Sequence, residues 1–203
     1  MSKVNRLELK FIKSAVYPED WPVHDHPEVA VVGRSNAGKS SFLNALSRSQ
    51  IAKVSQTPGK TRLINFFKSD KYVLVDLPGY GFAARDNKEL ALWKKMIHAY
   101  LTQRQNLVGV VLIMDSRRSW DDEEEQMRAF SVENSFRITV VLTKADKLNQ
   151  SERSKAVKTI SQQSQLDDVF LISNTKLDGI QEVENFIYTN WIKNWTLEHH
   201  EIK

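Results

Sequence analysis

The sequence of 203 residues contains no cysteine. This absence excludes disulfide bonds, thiol catalysis, iron–sulfur clusters and cysteine-ligated zinc, and it fits the reducing environment of the cytoplasm. Long apolar runs are also missing, since the longest stretch without a formal charge is the ten residues 105–114. A membrane-spanning helix needs about 20 apolar residues, so we expect no membrane span. The first eight residues carry three charges and no apolar run, so we expect no cleaved secretory signal.

Glycine is scarce, and its seven residues are unevenly placed along the chain. Five of them, at positions 33, 38, 59, 79 and 81, fall in one limited part of the sequence. Glycine serves where the backbone must bend sharply or approach a ligand closely. The clustering therefore marks this part of the chain as a candidate site.

Apolar runs and helical periodicities alternate along the chain. The predicted strands cover residues 28–32, 63–68, 72–76, 107–114, 137–142 and 169–172. The predicted helices cover residues 39–47, 90–101, 121–129, 152–164 and 180–195. This alternation predicts an α/β fold with a mostly parallel six-stranded sheet and helices on both faces.

The N-terminal residues 6–12 alternate apolar and polar side chains, and this pattern is compatible with an extra strand. Leu7, Leu9 and Phe11 are expected to point inward. We expect residues 1–26 to form an N-terminal extension that packs on the main domain. Residues 27–197 are expected to form that domain, and residues 198–203 a tail.

The clearest motif is GRSNAGKS at positions 33–40, which matches the G-x-x-x-x-G-K-[ST] pattern of a phosphate-binding loop. It follows a predicted strand and opens a predicted helix, as that mechanism requires. Lys39 is expected to reach the β- and γ-phosphate oxygens, and Ser40 to place its hydroxyl on Mg²⁺. The alternative, a glycine-rich turn that caps a helix, is disfavoured by the strand–loop–helix context. The candidate nucleotide contacts of this loop are Gly33, Arg34, Ser35, Asn36, Ala37, Gly38, Lys39 and Ser40.

A second motif, Asp76-Leu77-Pro78-Gly79, ends the predicted strand 72–76. In this class of site an acidic residue at that place holds the magnesium, often through water. The glycine three residues later can offer its N–H to the γ-phosphate. For the motif alone, a strand that ends in a proline turn would be the better interpretation. The spacing of 43 residues from Gly33, with a helix and a strand between, favours the functional one.

The tetrapeptide Thr143-Lys144-Ala145-Asp146 follows the predicted strand 137–142 and is a candidate for base recognition. A carboxylate at Asp146 can accept hydrogen bonds from N1–H and the exocyclic amine of guanine, whereas adenine has no such pair of donors. Lys144 can lay its aliphatic stem on the base. The common guanine motif begins with Asn, and Thr143 can supply only a hydroxyl in its place.

The end of the next predicted strand, Ile172-Ser173-Asn174, is a weaker candidate for the same subsite. Ser173 and Asn174 can offer backbone N–H groups to the guanine O6. The alternative is an ordinary turn after a strand.

In their order and their residue sequences, the motifs resemble those of the EngB (YihA/YsxC) family of bacterial GTP-binding proteins. The matching segments are GRSNAGKSS at 33–41, TPGKT at 57–61, INFF at 64–67, DLPGYG at 76–81, DSRR at 115–118 and TKAD at 143–146. The resemblance implies a Ras-like P-loop GTPase fold, with residues 27–197 as the GTP-binding domain. It implies binding of GTP and GDP with Mg²⁺, and GTP hydrolysis. It also implies a role in assembly of the large ribosomal subunit and a link to cell division and septation.

The resemblance also places the first switch. Thr61 matches the threonine that reaches Mg²⁺ when GTP is bound, so Ser40 and Thr61 are the expected metal ligands. The residues around Thr61 that are expected to contact the nucleotide are Gly59, Lys60, Arg62 and Leu63.

The residues that carry out hydrolysis cannot be named from the sequence. Ras-type enzymes orient the attacking water with a glutamine directly after the DxxG glycine, and here that position is Tyr80. We therefore expect slow intrinsic hydrolysis. Asn36 is a candidate to coordinate K⁺ beside the phosphates, and the alternative is a polar residue that tolerates a tight turn. Arg85 is a candidate positive finger, and the alternative is a solvated side chain.

Charge gives a further clue to the partner, because 29 basic residues exceed 25 acidic ones and leave a net charge of +4. Between positions 48 and 72 one acidic residue, Asp70, accompanies six basic ones, Arg48, Lys53, Lys60, Arg62, Lys68 and Lys71. A solvated face is the alternative interpretation. Together with the resemblance, this segment predicts binding to the large ribosomal subunit or its RNA. We also expect the protein to be cytoplasmic and monomeric.

Two other functions stay open at this point. One is a nucleotide-gated RNA-binding module whose hydrolysis is incidental, which Tyr80 and the basic segment favour. The other is a P-loop ATPase or small-molecule kinase. The TKAD motif disfavours it, as does the absence of an evident lid with paired arginines.

Overall fold

The structure is a computed structural model that describes residues 7–47, 49–51, 63–80 and 87–195. Its strands are β1 (Lys10–Ala15), β2 (Glu28–Gly33), β3 (Ile64–Lys68), β4 (Val73–Asp76), β5 (Leu107–Asp115), β6 (Arg137–Thr143) and β7 (Val169–Leu171). Its helices are α1 (Lys39–Ser47), α2 (Asn87–Gln103), α3 (Asp122–Glu133), α4 (Gln150–Ser164) and α5 (Ile180–Ile187). A π-helical turn, Tyr188–Ile192, continues α5. Within the described ranges, no helix combines the length and apolarity needed to cross a membrane.

The described strands form one seven-stranded sheet in the order β1-β3-β4-β2-β5-β6-β7. From β4 to β7 all neighbours are parallel, whereas β3 is antiparallel to β4 and β1 is antiparallel to β3. The prediction of a mostly parallel sheet with an extra N-terminal strand is confirmed. The parallel arrangement follows from the helices between strands, because each crossover returns the chain to the same end of the sheet.

Helices cover both faces of the sheet, so the central strands are buried on both sides. All six residues of β2 are buried. Val29 and Val31 pack into the core beside α1 and α5, whereas Ala30 and Val32 pack into the core on the opposite face. This division follows from the alternation of side chains along a strand. It explains why the sequence of β2 reads as a continuous apolar run.

The N-terminal strand differs from its prediction in two respects, its first residue and the exposure of Phe11. Leu7 and Leu9 are buried as expected, but they precede the strand, which begins at Lys10. Phe11 is 58% exposed, so the expectation that it points inward is wrong. The strand lies at the edge of the sheet, and its register with β3 is interrupted between Phe11 and Lys13. Phe11 packs the edge of its ring against Phe67, with 5.7 Å between the ring centroids, and leaves the rest of its surface to solvent.

Three helices are longer than predicted, and one of them, α2, spans Asn87–Gln103 where the prediction was 90–101. The helix α4 begins at Gln150, because the Asn149 side chain accepts a hydrogen bond from the Glu152 N–H at 3.0 Å. The Glu152 carboxylate accepts in return from the Asn149 N–H at 2.8 Å. This is a capping box, and its Asn-x-x-Glu spacing is visible in the sequence. The helix α3 continues past the predicted end at 129 to Glu133.

A buried carboxylate ties the start of β2 to two other segments. Glu28 is fully buried and accepts hydrogen bonds from the Tyr100 hydroxyl at 2.6 Å and from Arg104 Nε at 2.9 Å. His24 Nε2 lies 2.9 Å from the same carboxylate. Burial raises the pKa of Glu28, but the bonds from His24, Arg104 and Tyr100 outweigh it and hold the pKa below its usual value. Glu28 therefore joins β2 to the end of α2 and to the segment before β2.

Replacing this carboxylate tests its contribution to stability. We expect Glu28→Gln to lower the free energy of unfolding by about 3 kcal/mol at pH 7, because the Arg104 guanidinium loses its buried counter-charge. The folded pKa of Glu28 is depressed, so its contribution is complete above the unfolded pKa of about 4.3 and is lost as pH falls through the folded value. Urea unfolding at pH 7 and at acidic pH measures both effects. The control is Glu19→Gln, since Glu19 is exposed. An equal loss in both variants would contradict the assignment.

Candidate nucleotide-binding site

The predicted motifs meet at one edge of the sheet. The parallel strands β2, β4, β5, β6 and β7 all end there, and each motif follows one of them. In open parallel sheets, ligands bind outside the carboxyl ends of the strands. The residues that the structure brings to this edge are 33–40, 76–80, 115, 143–146 and 172–174.

The phosphate loop connects β2 to α1 and contains two left-handed residues. Asn36 has φ = 64° and Gly38 has φ = 100°. A Cβ atom at position 38 would lie 3.2 Å from Thr143 Oγ1, so this turn needs glycine for its backbone angle and for its space. Asparagine tolerates the left-handed conformation better than most residues. The conformation of Asn36 is therefore sufficient to account for an asparagine there.

Three consecutive carbonyl oxygens of this loop accept hydrogen bonds from side chains of the base-side loops. The donor–acceptor pairs are Lys144 Nζ to Asn36 O at 3.0 Å, Thr143 Oγ1 to Ala37 O at 2.5 Å and Asn174 Nδ2 to Gly38 O at 3.3 Å. A carbonyl oxygen that pointed at a phosphate would repel it. Here each of the three oxygens accepts a hydrogen bond from a protein side chain instead. The base-side motif thus supports the phosphate loop directly.

A buried ion pair lies at the start of α1. Lys39 Nζ contacts Asp76 Oδ1, and these residues are 9% and 3% exposed. The structure thus brings together the lysine predicted for the phosphates and the carboxylate predicted for magnesium. Ser40 follows Lys39 in the first turn of α1 and is partly buried.

The DLPG turn packs against the phosphate loop. Ser35 N–H donates to the Tyr80 carbonyl at 2.9 Å, and Tyr80 N–H donates to the Gly33 carbonyl at 3.3 Å. A Cβ atom at Gly79 would lie 2.9 Å from the Gly33 carbonyl oxygen, so no other residue fits without movement. The side chain of Tyr80 is buried, and its hydroxyl donates to Glu124 Oε1 at 2.8 Å. The hydroxyl is therefore already bonded to a protein acceptor.

The base-side loop is held by its own side chains. Lys144 adopts a left-handed backbone conformation with φ = 64°, and its Nζ donates to Asp115 Oδ2 at 2.8 Å. Asp146 Oδ1 accepts from the Ser173 hydroxyl at 2.7 Å, and this bond lowers the pKa of Asp146. Asp146 is therefore ionised at neutral pH, and its position is fixed by Ser173.

The loop after β7 contributes side chains where the sequence predicted backbone groups. The N–H of Ser173 donates to the Asp178 carbonyl at 3.0 Å, so it is not available to a base. Asn174 uses its side-chain amide to support the phosphate loop, and its Oδ1 is buried with no partner among the described residues. Ile172 is buried, and its carbonyl accepts from the Ala145 N–H at 3.0 Å.

Sequence reasoning missed Asp115 as a member of the site. Its carboxylate accepts from Arg117 Nε and Nη2 at 2.9 and 2.7 Å, besides the bond from Lys144. Burial raises the pKa of Asp115, but the bonds from Arg117 and Lys144 outweigh it and hold the pKa well below its usual range. The available signal was an acidic residue at the end of a buried strand next to the TKAD strand.

Part of the predicted site lies outside the described residues. This holds for the first-switch residues Gly59, Lys60, Thr61 and Arg62, and for Arg85. Leu63 is described and is 39% exposed. Among the residues that the structure does describe, no three His, Asp or Glu side chains come together as a metal cluster.

Comparison with known proteins finds similar sequences over most of the chain. Residues 28–144 match the family model described as a 50S ribosome-binding GTPase. A probable GTP-binding protein EngB from Bdellovibrio bacteriovorus is 54% identical over 186 residues, which cover 91% of this chain and 93% of that protein. A probable GTP-binding protein EngB from Mycoplasmopsis pulmonis is 42% identical over 180 residues, which cover 88% and 97%.

Solved structures share the fold. A crystal structure of a probable GTP-binding protein engB superposes with a TM-score of 0.65 at 20% identity, covering 79% of this chain and 96% of that chain. Era from Aquifex aeolicus, bound to GDP and AlF4⁻, gives a TM-score of 0.67 at 21% identity, covering 83% and 57%. Identities this low show the fold alone. The sequence matches, which span most of the chain and of its relatives, show that it belongs to the EngB family of GTP-binding proteins, with a P-loop GTPase fold.

Proposed function

We propose that this protein binds GTP and GDP at the loop-lined edge of the sheet and hydrolyses GTP, and that it acts as a nucleotide switch in large ribosomal subunit assembly. Membership of the EngB family supports GTP binding and, at the level of the family, GTP hydrolysis. One structural observation carries the proposal for this chain. The side chains of the base-side loops bond directly to the phosphate loop, so one ligand with a base and phosphates fits both. The role in cell division and septation is part of the same proposal.

Selection of guanine rests on the ionised carboxylate of Asp146. Its Oδ1 is held by the Ser173 hydroxyl at 2.7 Å. A fixed carboxylate offers two acceptors to the N1–H and amine of guanine. Adenine would leave it without donors, which is costly in a desolvated site.

Exchanging this carboxylate for an amide tests the base assignment. We expect Asp146→Asn to weaken GTP binding by about 100-fold and to improve binding of xanthosine nucleotides, because the donor and acceptor pattern inverts. Calorimetry with GTP, xanthosine triphosphate and ATP measures the change. Asp167→Asn is the control, since Asp167 is exposed. Equal competition by ATP and GTP for the unaltered protein would refute guanine selection.

The donor set beside the phosphate loop fits magnesium. Ser40 supplies a hydroxyl and Asp76 a carboxylate, and Mg²⁺ prefers such hard oxygen ligands. In the described part of the chain they are not joined by a cluster of acidic or histidine side chains, so the ion would depend on phosphate oxygens for the rest of its ligands. When bound, it would neutralise charge on the β- and γ-phosphates. Thr61 belongs to the proposed ligand set and lies outside the described residues.

Slow intrinsic hydrolysis is supported by the placement of Tyr80. Its hydroxyl is bonded to Glu124 in the interior, so this position offers no amide to orient a water molecule. Asn36 is the proposed K⁺ ligand. Its left-handed backbone conformation is a second explanation for an asparagine at this position, because asparagine tolerates that conformation. The two explanations make different predictions.

The variant Asn36→Gly separates them, because glycine keeps the left-handed turn and removes only the side chain. If Asn36 holds a cation, K⁺ should accelerate GTP hydrolysis more than Na⁺ at equal ionic strength, and Asn36→Gly should remove the difference. Phosphate release with each salt measures both rates. A rate that is fast and indifferent to the cation in the unaltered protein would refute both slow hydrolysis and the K⁺ site.

The ribosomal partner is proposed from the family and from the basic segment before β4. The matching family model carries the description of a 50S ribosome-binding GTPase. Of the basic residues in this segment, the structure describes Lys68 and Lys71, whereas Arg48, Lys53 and the rest lie outside its ranges. Lys68 is exposed at the end of β3, and Lys71 Nζ lies 4.6 Å from the centre of the Tyr188 ring. Both lysines lie at the turn between β3 and β4, at the end of the sheet opposite the phosphate loop. Their positive charges suit binding to RNA phosphates.

Reversing these charges tests the partner. We expect tighter sedimentation with large ribosomal subunits in a non-hydrolysable GTP analogue than in GDP, and binding that weakens steeply with salt. Lys68→Glu and Lys71→Glu should each lower the salt dependence by about one unit of log–log slope, with GTP affinity unchanged. Lys155→Glu, an exposed change on α4, is the control. Equal ribosome binding in GDP and the GTP analogue would refute the switch, and turnover unaffected by ribosomal particles would favour a binding module with incidental hydrolysis.

A further inference from the structure

The phenol of Tyr80 makes a buried hydrogen bond to a residue outside every nucleotide motif. Its hydroxyl donates to Glu124 Oε1 at 2.8 Å, and the two residues are 44 positions apart in the sequence. Tyr80 is 7% exposed and Glu124 is 3% exposed. Glu124 lies in the first turn of α3, where its other oxygen accepts from the Asp121 N–H at 3.2 Å. Both oxygens of this carboxylate thus have defined partners.

The same end of α3 also contacts the phosphate loop. Arg34 Nη1 lies 3.4 Å from Asp121 Oδ2 and 3.2 Å from Glu123 Oε2. These pairs are partly exposed, so solvent screens them, and they are weaker than the buried bond from Tyr80. A β-bridge joins Arg34 to Tyr80. The start of α3 is therefore bonded to both loops that face the phosphate subsite.

The position of Tyr80 determines the position of Gly79. The peptide groups of Tyr80 bond to Ser35 and Gly33 of the phosphate loop. On the other side of Gly79, the Pro78 carbonyl accepts from Trp93 Nε1 at 3.0 Å. The glycine is thus held between two anchored residues, Pro78 and Tyr80, and the Tyr80 phenol is the group that reaches α3.

The Tyr80 phenol stays protonated over the physiological pH range. Burial, together with the neighbouring charge of Glu124, raises the pKa of Tyr80 far above its usual value. The phenol therefore stays protonated and remains a donor. A bond from a hydroxyl to a buried carboxylate is among the stronger hydrogen bonds of a protein.

We propose that Tyr80 and Glu124 are positioning residues that hold Gly79 against the phosphate loop, so that the site distinguishes GTP from GDP. This inference rests on the proposed function and on the sequence-based expectation that the Gly79 N–H contacts the γ-phosphate. GDP lacks that phosphate, so loss of the bond weakens GTP and spares GDP. A purely structural role would change both nucleotides alike.

Single and double substitutions test the pair. Tyr80→Phe removes only the hydroxyl, and Glu124→Leu removes the acceptor at similar volume. Calorimetry measures the affinity for GDP and for the β,γ-imido analogue of GTP, and thermal unfolding reports the fold. The control is Tyr72→Phe, because Tyr72 is equally buried and its hydroxyl has no partner among the described residues.

We expect Tyr80→Phe to weaken the GTP analogue by about tenfold, the equivalent of one hydrogen bond, with GDP changed less than twofold. In the double variant no buried hydroxyl is left without its acceptor, so thermal stability should recover in part relative to Glu124→Leu. The Asp121 N–H still lacks its bond, so recovery is incomplete. The preference for the GTP analogue should stay low. Tyr72→Phe should change neither affinity.

Three results would overturn the inference. They are equal weakening of both nucleotides, no change in either, or recovery of the GTP preference together with stability in the double variant. If the unaltered protein binds neither nucleotide, the proposed function fails, and this inference fails with it. Binding of both nucleotides by the unaltered protein, with no selective loss in Tyr80→Phe, overturns the positioning role alone.

Discussion

The site depends on three hydrogen bonds that hold the phosphate loop by its carbonyl oxygens. Their donors, Thr143, Lys144 and Asn174, come from the ends of β6 and β7, more than 100 residues from the loop in sequence. Such bonds order a loop whose glycine would otherwise be free to adopt many conformations. They also make the base subsite and the phosphate subsite one structure. A change in the loops after β6 or β7 therefore affects the conformation of the phosphate loop directly.

Thr143 supports the phosphate loop with one hydroxyl hydrogen, where an asparagine would offer two amide hydrogens. The common motif has asparagine at this position, whose amide offers two donor hydrogens. Here a single hydroxyl, fully buried, lies 2.5 Å from the Ala37 carbonyl and 3.1 Å from the Met114 carbonyl. A hydroxyl has one hydrogen, so it can donate to only one of these oxygens at a time. The remaining two contacts to the loop come from its neighbours in space, Lys144 and Asn174. The threonine is thus sufficient because it does not act alone.

Local patterns predicted most of the fold, and long-range pairs account for what they missed. The strands β5 and β6 are evident because burial on both faces requires uninterrupted apolar residues. Phe11 was misplaced because its exposure depends on a register interruption at the sheet edge, which alternation alone does not reveal. Asp115 and Glu124 could not be assigned roles from the sequence. Their distant partners, Lys144 and Tyr80, are 29 and 44 residues away in the sequence. The local pattern indicates only a strand-end acid for Asp115 and a helix-capping acid for Glu124.

In the described part of the chain, four buried carboxylates connect distant segments, and Asp76 differs from the other three. Glu28, Asp115 and Glu124 are bonded to groups that are not expected to contact phosphate, whereas Asp76 is paired with Lys39 of the phosphate loop. A phosphate that binds Lys39 draws away the counter-charge of Asp76, which is 3% exposed. An unpaired carboxylate at that depth costs about 3–5 kcal/mol. Under the proposed function, a divalent cation bound with the nucleotide replaces the lost positive charge. Because each charge compensates the other, the ion pair at the start of α1 couples binding of the nucleotide to binding of the metal.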